Sequence, residues 1–307
     1  MRVLITGITG FVGRHLARHL LAIGHEVTGL AEIDGEVDGA RVVCADITDR
    51  RALDTVLTEL RPEAIVHLAG LAHVGASFGD PGAYLEVNFQ GTANLVTSAT
   101  RLEPRPRLLF ASSAEVYGVV DETAQPIAED RALDPRSPYA MTKACAERIV
   151  IDHGGTVVRS FNVIGPGQAP RFALPSFARQ LAAIDAGTQP ARILVGNLAP
   201  RRDFTNIADA VEGYGLLATT GDAGEVYNLA SGEAHSIADM LDRLRVISSV
   251  DAEVVCDDAR LRPVDMPLLL GNASKLHALG WAPRHGLDHA LEALWHEAVE
   301  ETTAHDA

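Results

Sequence analysis

Val3-Leu4-Ile5-Thr6-Gly7-Ile8-Thr9-Gly10-Phe11-Val12-Gly13 is the stretch on which the fold turns. Val3-Leu4-Ile5 is a short apolar run suited to a buried parallel strand. Beyond it, Leu16, Leu20 and Ile23 share one face of a helix that Gly24 stops. His25-Glu26-Val27-Thr28-Gly29-Leu30 reads as a second strand. Strand, glycine loop, helix and strand make a dinucleotide-binding unit. Its glycines permit a tight turn, a close approach of backbone to pyrophosphate, and close packing of helix on sheet. The helix N-terminus then offers N–H groups to the phosphates. The spacing is G-x-x-G-x-x-G over Gly7, Gly10 and Gly13. A cofactor is expected against Gly7, Thr9, Gly10, Phe11, Val12 and Gly13.

Working outward, the same rhythm repeats. Arg41 to Ala45 is a strand ending at Asp46-Ile47, and Arg51 to Leu60 is a helix with Leu53, Val56, Leu57 and Leu60 inward. Asp46 and the Ile47 N–H suit an adenine contact; Asp46 equally suits the start of a turn before Thr48-Asp49. The strand Ala64-Ile65-Val66-His67-Leu68-Ala69-Gly70 runs into residues small enough to pass a cofactor, with His67 expected as a core histidine. A long helix from Tyr84 to Leu102 carries Asn88. A fifth strand delivers Ser112-Ser113, and a sixth delivers Ser160-Phe161-Asn162. Alternating strands and helices imply an α/β, doubly wound parallel sheet of Rossmann type. Such sheets bind ligands at the carboxyl ends of their strands, where the glycine loop, Asp46, Leu68, Ala69-Gly70, Ser112-Ser113 and Asn162 all fall. After Gly167 the rhythm changes. Residues 1–162 are expected as the dinucleotide-binding domain, with segments near 203–229 returning to it. Residues 163–202 and 230–307 are expected as a smaller α/β substrate domain, with a frayed tail after Glu301.

The net charge of -15 and the lack of a basic run argue against a nucleic-acid surface. No apolar run is long enough for a membrane span, and no leader-like region precedes Arg2. Cys44, Cys145 and Cys256 lie far apart in no metal-like spacing, so reduced, packing cysteines and a cytoplasmic protein are expected, with no metal.

Tyr139-Ala140-Met141-Thr142-Lys143 carries the chemistry. Residues four apart share a helix face, so a Lys143 cation beside the Tyr139 phenol is expected to lower its pKa. A phenol so tuned exchanges a proton with a sugar or alcohol oxygen while a hydride moves.

With these motifs in hand, the chain resembles the extended short-chain dehydrogenase/reductase family, the NAD-dependent epimerases and dehydratases. The marks are Gly7-x-x-Gly10-x-x-Gly13, Ser113 with Glu115-Val116-Tyr117-Gly118, Tyr139-x-x-x-Lys143, and Phe161-Asn162-x-x-Gly165-Pro166-Gly167-Gln168. Arg202-Asp203-Phe204, the segment from Gly224 to Gly232, and Arg260-Leu261-Arg262-Pro263-x-Asp265-x-Pro267 resemble the GDP-mannose 4,6-dehydratase group. Within it they are most similar to GDP-4-keto-6-deoxy-D-mannose reductases, which make GDP-D-rhamnose. The resemblance implies roles. Tyr139 exchanges the proton, Lys143 tunes it and binds the nicotinamide ribose, and Ser113 hydrogen-bonds the sugar oxygen. Ser112 lines the nicotinamide pocket, with Asn88 also toward the cofactor. Asn162, Arg202 and Arg262 meet the nucleotide sugar, with Ser113 and Glu115 at its reacting end.

Three departures refine this. Ala114 precedes Glu115 where dehydratases usually carry an acid or hydroxyl, and a methyl group cannot protonate a leaving hydroxyl; Glu115 alone could still act as a base. Glu32 follows the second strand, where a 2′-phosphate would be repelled by about 4 kcal/mol at roughly 4 Å and an effective dielectric near 20. That favours NAD(H) and leaves NADP(H) open. The segment between Lys143 and Thr156 is short for the helix that usually builds the family's homodimer. The expected activity is reduction of a nucleotide-linked 4-keto-6-deoxyhexose, with a GDP-hexose favoured. A 4-epimerase or 4,6-dehydratase holding NAD tightly, and a non-catalytic NAD-binding module, are the alternatives.

Overall fold

A computed structural model of the protein describes residues 1–261 and 266–305. The first part runs β1 (Arg2–Thr6), α1 (Phe11–Ala22), β2 (Glu26–Ala31), β3 (Arg41–Cys44), α2 (Arg50–Leu60), β4 (Ala64–His67), α3 (Val74–Ser77), α4 (Pro81–Tyr84), α5 (Gly91–Ala99), β5 (Arg107–Ser113), α6 (Pro138–Asp152) and β6 (Thr156–Ser160). The second part runs β7 (Asn162–Ile164), α7 (Ala173–Asp185), β8 (Arg192–Val195), β9 (Arg201–Asn206), α8 (Ile207–Thr220), β10 (Val226–Leu229), β11 (Ala234–Ser236), α9 (Ile237–Ser248), β12 (Glu253–Cys256), β13 (Leu268–Leu269), α10 (Ser274–His277) and α11 (Leu287–His305).

Seven parallel strands form one sheet in the order β10-β6-β5-β4-β1-β2-β3. The chain winds outward from β1 to β3, then crosses back to place β4 on the other side of β1. The strand order therefore reverses at β1, and the glycine loop leaves β1 at the crevice this reversal opens. Both faces of the sheet are covered, so its central strands carry apolar residues on both faces: Leu4 and Ile65 pack toward α2 and α5, while Val3, Ile5 and Val66 pack toward α1 and α8. Each such Leu, Ile or Val is worth about 1.5–3 kcal/mol of burial. Asp49 starts α2 by accepting from the Arg51 and Ala52 N–H groups, and Arg61 ends it in the left-handed region. Residues 207–229 rejoin this layer, α8 beside α1 and β10 on the sheet edge next to β6.

A second core lies among α7, α9 and α11, built from Leu174, Phe177, Leu181, Met240, Leu241, Leu244, Leu291 and Leu294. Between the two cores, β9 pairs with β7, β11 and β13, and β8 pairs with β12.

Three expectations change. The expected Tyr84–Leu102 helix starts at Pro81, capped by Asp80, and passes through a π-helical turn, Leu85–Gln90, before α5. The tail after Glu301 stays helical to His305, because Leu291, Leu294 and Ala298 hold α11 on α7. All three cysteines are exposed thiols rather than packing residues; Cys44 donates to the Glu32 carbonyl at 3.1 Å. No helix of the described residues is long and apolar enough to cross a membrane. Among the described residues no cluster of metal-ligating side chains is found.

Candidate active site

The glycine loop is a cradle that side chains would fill. Gly7 has φ +70°, and a Cβ there would lie 2.8 Å from the Ala69 nitrogen. A Cβ on Gly13 would lie 2.3 Å from the Gly7 carbonyl oxygen. Gly10, the residue before α1, gives no side-chain cap, and the first turn holds no acid, leaving the N–H groups around Phe11, Val12 and Gly13 for an anion. These features fit the pyrophosphate of a dinucleotide. Thr9 packs against Gly35, and its carbonyl accepts from Arg14 at 2.9 Å. Arg14 also donates to the Glu36 backbone carbonyl at 2.8 Å, so α1 holds the segment that follows exposed Glu32.

At the end of β3, the Asp46 carboxylate accepts the Thr48 N–H at 2.7 Å. The turn-forming role is therefore present. Ile47 is buried against Gly91, so its side chain belongs to the core and only its backbone can face outward.

One hydrogen-bonded chain joins β1, β4 and the π turn. The Thr92 hydroxyl donates to the Asn88 carbonyl at 2.6 Å, so it accepts from His67 Nε2 at 2.9 Å. His67 Nδ1 then accepts from Thr6 at 2.7 Å, and Thr6 Oγ1 accepts from the Ala69 N–H at 3.2 Å. Burial holds the His67 pKa down at about 3 and keeps the ring neutral. The Asn88 side chain accepts from Leu71 N at 2.7 Å and donates to the Leu71 carbonyl and to Thr142, whose hydroxyl reaches the Tyr139 carbonyl at 2.7 Å. Asn88 is thus fully engaged, and it closes around Gly70, where a Cβ would strike its Oδ1 at 2.8 Å. Leu68 and Ala69 pack their side chains onto the cores on either side.

Ser137 caps α6, accepting from the Ala140 N–H at 3.1 Å, and Pro138 occupies its first turn. Tyr139, Lys143 and Glu147 follow at four-residue intervals on its inward face, all buried. Ser113 sits beside the Tyr139 hydroxyl, close enough to lower its pKa, and accepts the Glu115 N–H at 3.2 Å. Burial drives the Tyr139 pKa well up, with Ser113 pulling it down and Glu115, Tyr214 and Tyr84 pushing it further up. This reverses the expected lowering by Lys143. The Lys143 ammonium lies over the Phe110 ring and donates to the Ala111 carbonyl at 2.8 Å, and its own pKa falls to about 8 through burial. Ala114, one residue before half-buried Glu115, is buried at the start of a short 3-10 turn.

The Ser112 hydroxyl turns away into a buried network and donates to Glu147, so only its backbone is left for a ligand. Glu147 is paired with Arg159 at 2.8 Å, Arg159 donates to the Tyr117 hydroxyl at 3.0 Å, and Tyr117 donates to Asn228 at 2.7 Å. Sequence reasoning missed Glu147 and Arg159. The signal for Glu147 was its place one turn beyond Lys143 on the same helix stripe.

Beside this centre lies a cavity of about 620 Å³ lined by His73, Asn162, Arg171, Phe172 and Arg202 among others. Tyr139, Ser113 and Glu115 are not in its wall. The link is Tyr84, whose hydroxyl donates to the His73 carbonyl at 2.6 Å and whose ring stands edge-on to Tyr139 at 6.3 Å. Asn162 is exposed at the start of β7. Arg202 is buried and donates to the Met266 carbonyl at 2.6 Å. Arg262 lies outside the described residues. His73, Tyr84 and Arg171 were not singled out from sequence, because a lone histidine, tyrosine or arginine in a loop carries no spacing signal.

The model of the family described as GDP-mannose 4,6 dehydratase matches residues 4–294. The chain is 36% identical to the GDP-6-deoxy-D-mannose reductase of Pseudomonas aeruginosa, over 98% of this chain and 99% of that one. Its fold is similar to the Pseudomonas aeruginosa protein RMD complexed with NADPH, with a TM-score of 0.85 and 33% identity, covering 98% and 99% of the two chains. It is equally similar to the Thermus thermophilus UDP-glucose 4-epimerase complexed with NAD, with a TM-score of 0.88 and 28% identity over 97% and 99%. The glycine cradle, the Ser113–Tyr139–Lys143 group and a match over nearly the whole length agree: the chain belongs to the GDP-mannose 4,6-dehydratase family.

Proposed function

We propose that the protein is an NAD(P)H-dependent reductase of a nucleotide-linked 4-keto-6-deoxyhexose, converting GDP-4-keto-6-deoxy-D-mannose to GDP-D-rhamnose. The observation that carries this reading is the buried stripe of α6 that sets Tyr139 and Lys143 one turn apart, with Ser113 beside the phenol. The phenol is protonated at neutral pH, and burial favours that form. A neutral phenol is a proton donor, which a carbonyl reduction needs at the oxygen as it gains charge. The nicotinamide, when bound, supplies the hydride. Ser113 orients the sugar oxygen toward Tyr139. Lys143, charged below about pH 8, stabilises the negative charge that develops there. Asn162, Arg171 and Arg202 would hold the nucleotide diphosphate in the cavity, because guanidinium groups match phosphate oxygens. Buried Ala114 offers no proton to a leaving hydroxyl, which supports reduction over dehydration. The likeness to the Pseudomonas aeruginosa reductase points the same way.

For the cofactor, exposed Glu32 favours NADH. NADPH stays in play because the similar Pseudomonas aeruginosa structure holds it. A homodimer is proposed through the outer face of α6 and its neighbour, where Met141 is 55% and Leu85 54% exposed; light scattering of a monomer at micromolar concentration would refute it.

The second reading is a 4-epimerase, supported by the likeness to the Thermus thermophilus enzyme. The deciding experiment follows loss of reduced-nicotinamide absorbance with GDP-4-keto-6-deoxymannose, using NADH and NADPH in parallel. Oxidation of either supports the reductase. Sugar conversion without added cofactor, by protein that releases NAD on denaturation, supports the epimerase instead.

A further inference from the structure

The turn Gly165-Pro166-Gly167 is gripped from three sides. Phe11 and His15 lie one turn apart on α1, edge to face at 5.6 Å. His15 Nε2 donates to the Pro166 carbonyl at 2.9 Å. Both carboxylate oxygens of Glu297 on α11 accept the Gly167 N–H, at 2.8 and 2.9 Å. At the start of α8, Ile207 leaves no room beside Gly165, where a Cβ would lie 2.3 Å from its Cγ2. Gly167 adopts φ +84°, and a Cβ there would touch the Phe11 ring at 3.8 Å.

The two ends of this grip are different places. Phe11 opens the helix whose N-terminus is the dinucleotide cradle. Asn162, Val163 and Ile164 before the turn, and Gln168, Arg171 and Phe172 after it, line the neighbouring cavity. Close-packed interiors transmit small displacements rather than absorbing them. A movement of the α1 N-terminus therefore reaches the cavity wall through Phe11 and His15, and His15, which the proposed chemistry does not use, is the one that hydrogen-bonds the turn. Burial lowers the His15 pKa, helped by Arg18 and partly opposed by the hydrogen bond to Pro166 and by Glu297, so the net shift favours a neutral ring.

We propose that His15 is the positioning residue that couples occupancy of the dinucleotide cradle to the order of the cavity wall, through its hydrogen bond to Pro166 and with Glu297 as a second anchor. The proposal rests on the dinucleotide reading of the cradle, and its test separates the two. Hydrogen exchange is measured by mass spectrometry on the full chain with and without NADH, and with NADPH in parallel. In the wild type, the cofactor that binds is expected to slow exchange in residues 7–14 and also in residues 165–172. His15→Ala is expected to keep protection of 7–14 and lose that of 165–172, and His15→Gln, which retains an N–H donor, to regain part of it. As a second readout, the same cofactor should raise GDP affinity in the wild type by about fivefold or more, and His15→Ala should bring that ratio close to one. Glu297→Gln, which weakens the second anchor, keeps the test alive if His15→Ala does not fold, and should lower the same ratio. Unchanged protection of 165–172 in His15→Ala would overturn the proposal. So would simultaneous loss at 7–14, which would make His15 a mere support of the cradle. No protection of 7–14 in the wild type by either NADH or NADPH would instead sink the dinucleotide reading.

Discussion

Lys143 Nζ donates to the Ala111 carbonyl oxygen at 2.8 Å, which ties the buried ammonium of α6 to the last strand before the reactive turn. Burial lowers its pKa to about 8, while the same burial raises that of Tyr139. The two shifts act in opposite directions because desolvation disfavours whichever form is charged.

The sign of the pH dependence follows. Below about pH 8 Lys143 is charged and Tyr139 neutral, the pair a reduction needs. As pH rises through about 8 the ammonium is lost while the phenol stays protonated. kcat/KM for reduction should therefore fall on the alkaline side with an apparent pKa close to 8, the value of the free enzyme. Stability moves the other way. Between about pH 8 and 10.5 the unfolded chain holds a proton on Lys143 that the native state has released, so this group's contribution to stability rises with pH across that window. An alkaline limb beyond pH 10 would contradict the assignment.

Tyr139→Phe removes the proton donor and leaves the ring packing beside Tyr84 intact. Turnover should drop by roughly a hundred- to ten-thousand-fold, with the melting temperature nearly unchanged. Retention of full activity would take Tyr139 out of the chemistry.

Glu32→Arg exchanges a negative for a positive group on an exposed position just after β2. The ratio of kcat/KM for NADPH to that for NADH should rise by at least about tenfold, within the reach of one charge reversal at a partly solvated site. A constant ratio would mean that Glu32 does not face the adenosine ribose.

Glu147→Ala strands the Arg159 guanidinium in the core and leaves the Ser112 hydroxyl without its acceptor. Breaking a buried pair from one side costs about 3–5 kcal/mol. Urea unfolding should report a loss of that order. Arg148→Ala, one residue along α6 in an exposed ion pair with Asp152, should change stability by less than about 1 kcal/mol.

Much of the sheet was legible in the sequence because its signals are local. Apolar runs at Val3-Leu4-Ile5 and Ala64-Ile65-Val66, glycines at loop positions and a Tyr-x-x-x-Lys spacing are written in neighbouring residues, and their rhythm alone implies parallel strands with crossover helices. The glycines at 7, 10 and 13 carry their reason in the missing side chain. What tertiary structure alone decided is whatever depends on residues far apart in the chain. Tyr139 and Lys143 are neighbours on one helix, but the direction of their pKa shifts comes from how completely β5, the π turn and the 113–117 segment shut out water. Ser112 and Ser113 are adjacent, yet the first serves Glu147 and the second Tyr139. His15 and Pro166 are 151 residues apart, and only the folded chain makes them partners. Local pattern specifies backbone path; desolvation and long-range hydrogen bonding, which depend on the whole surrounding shell, specify what each side chain can do.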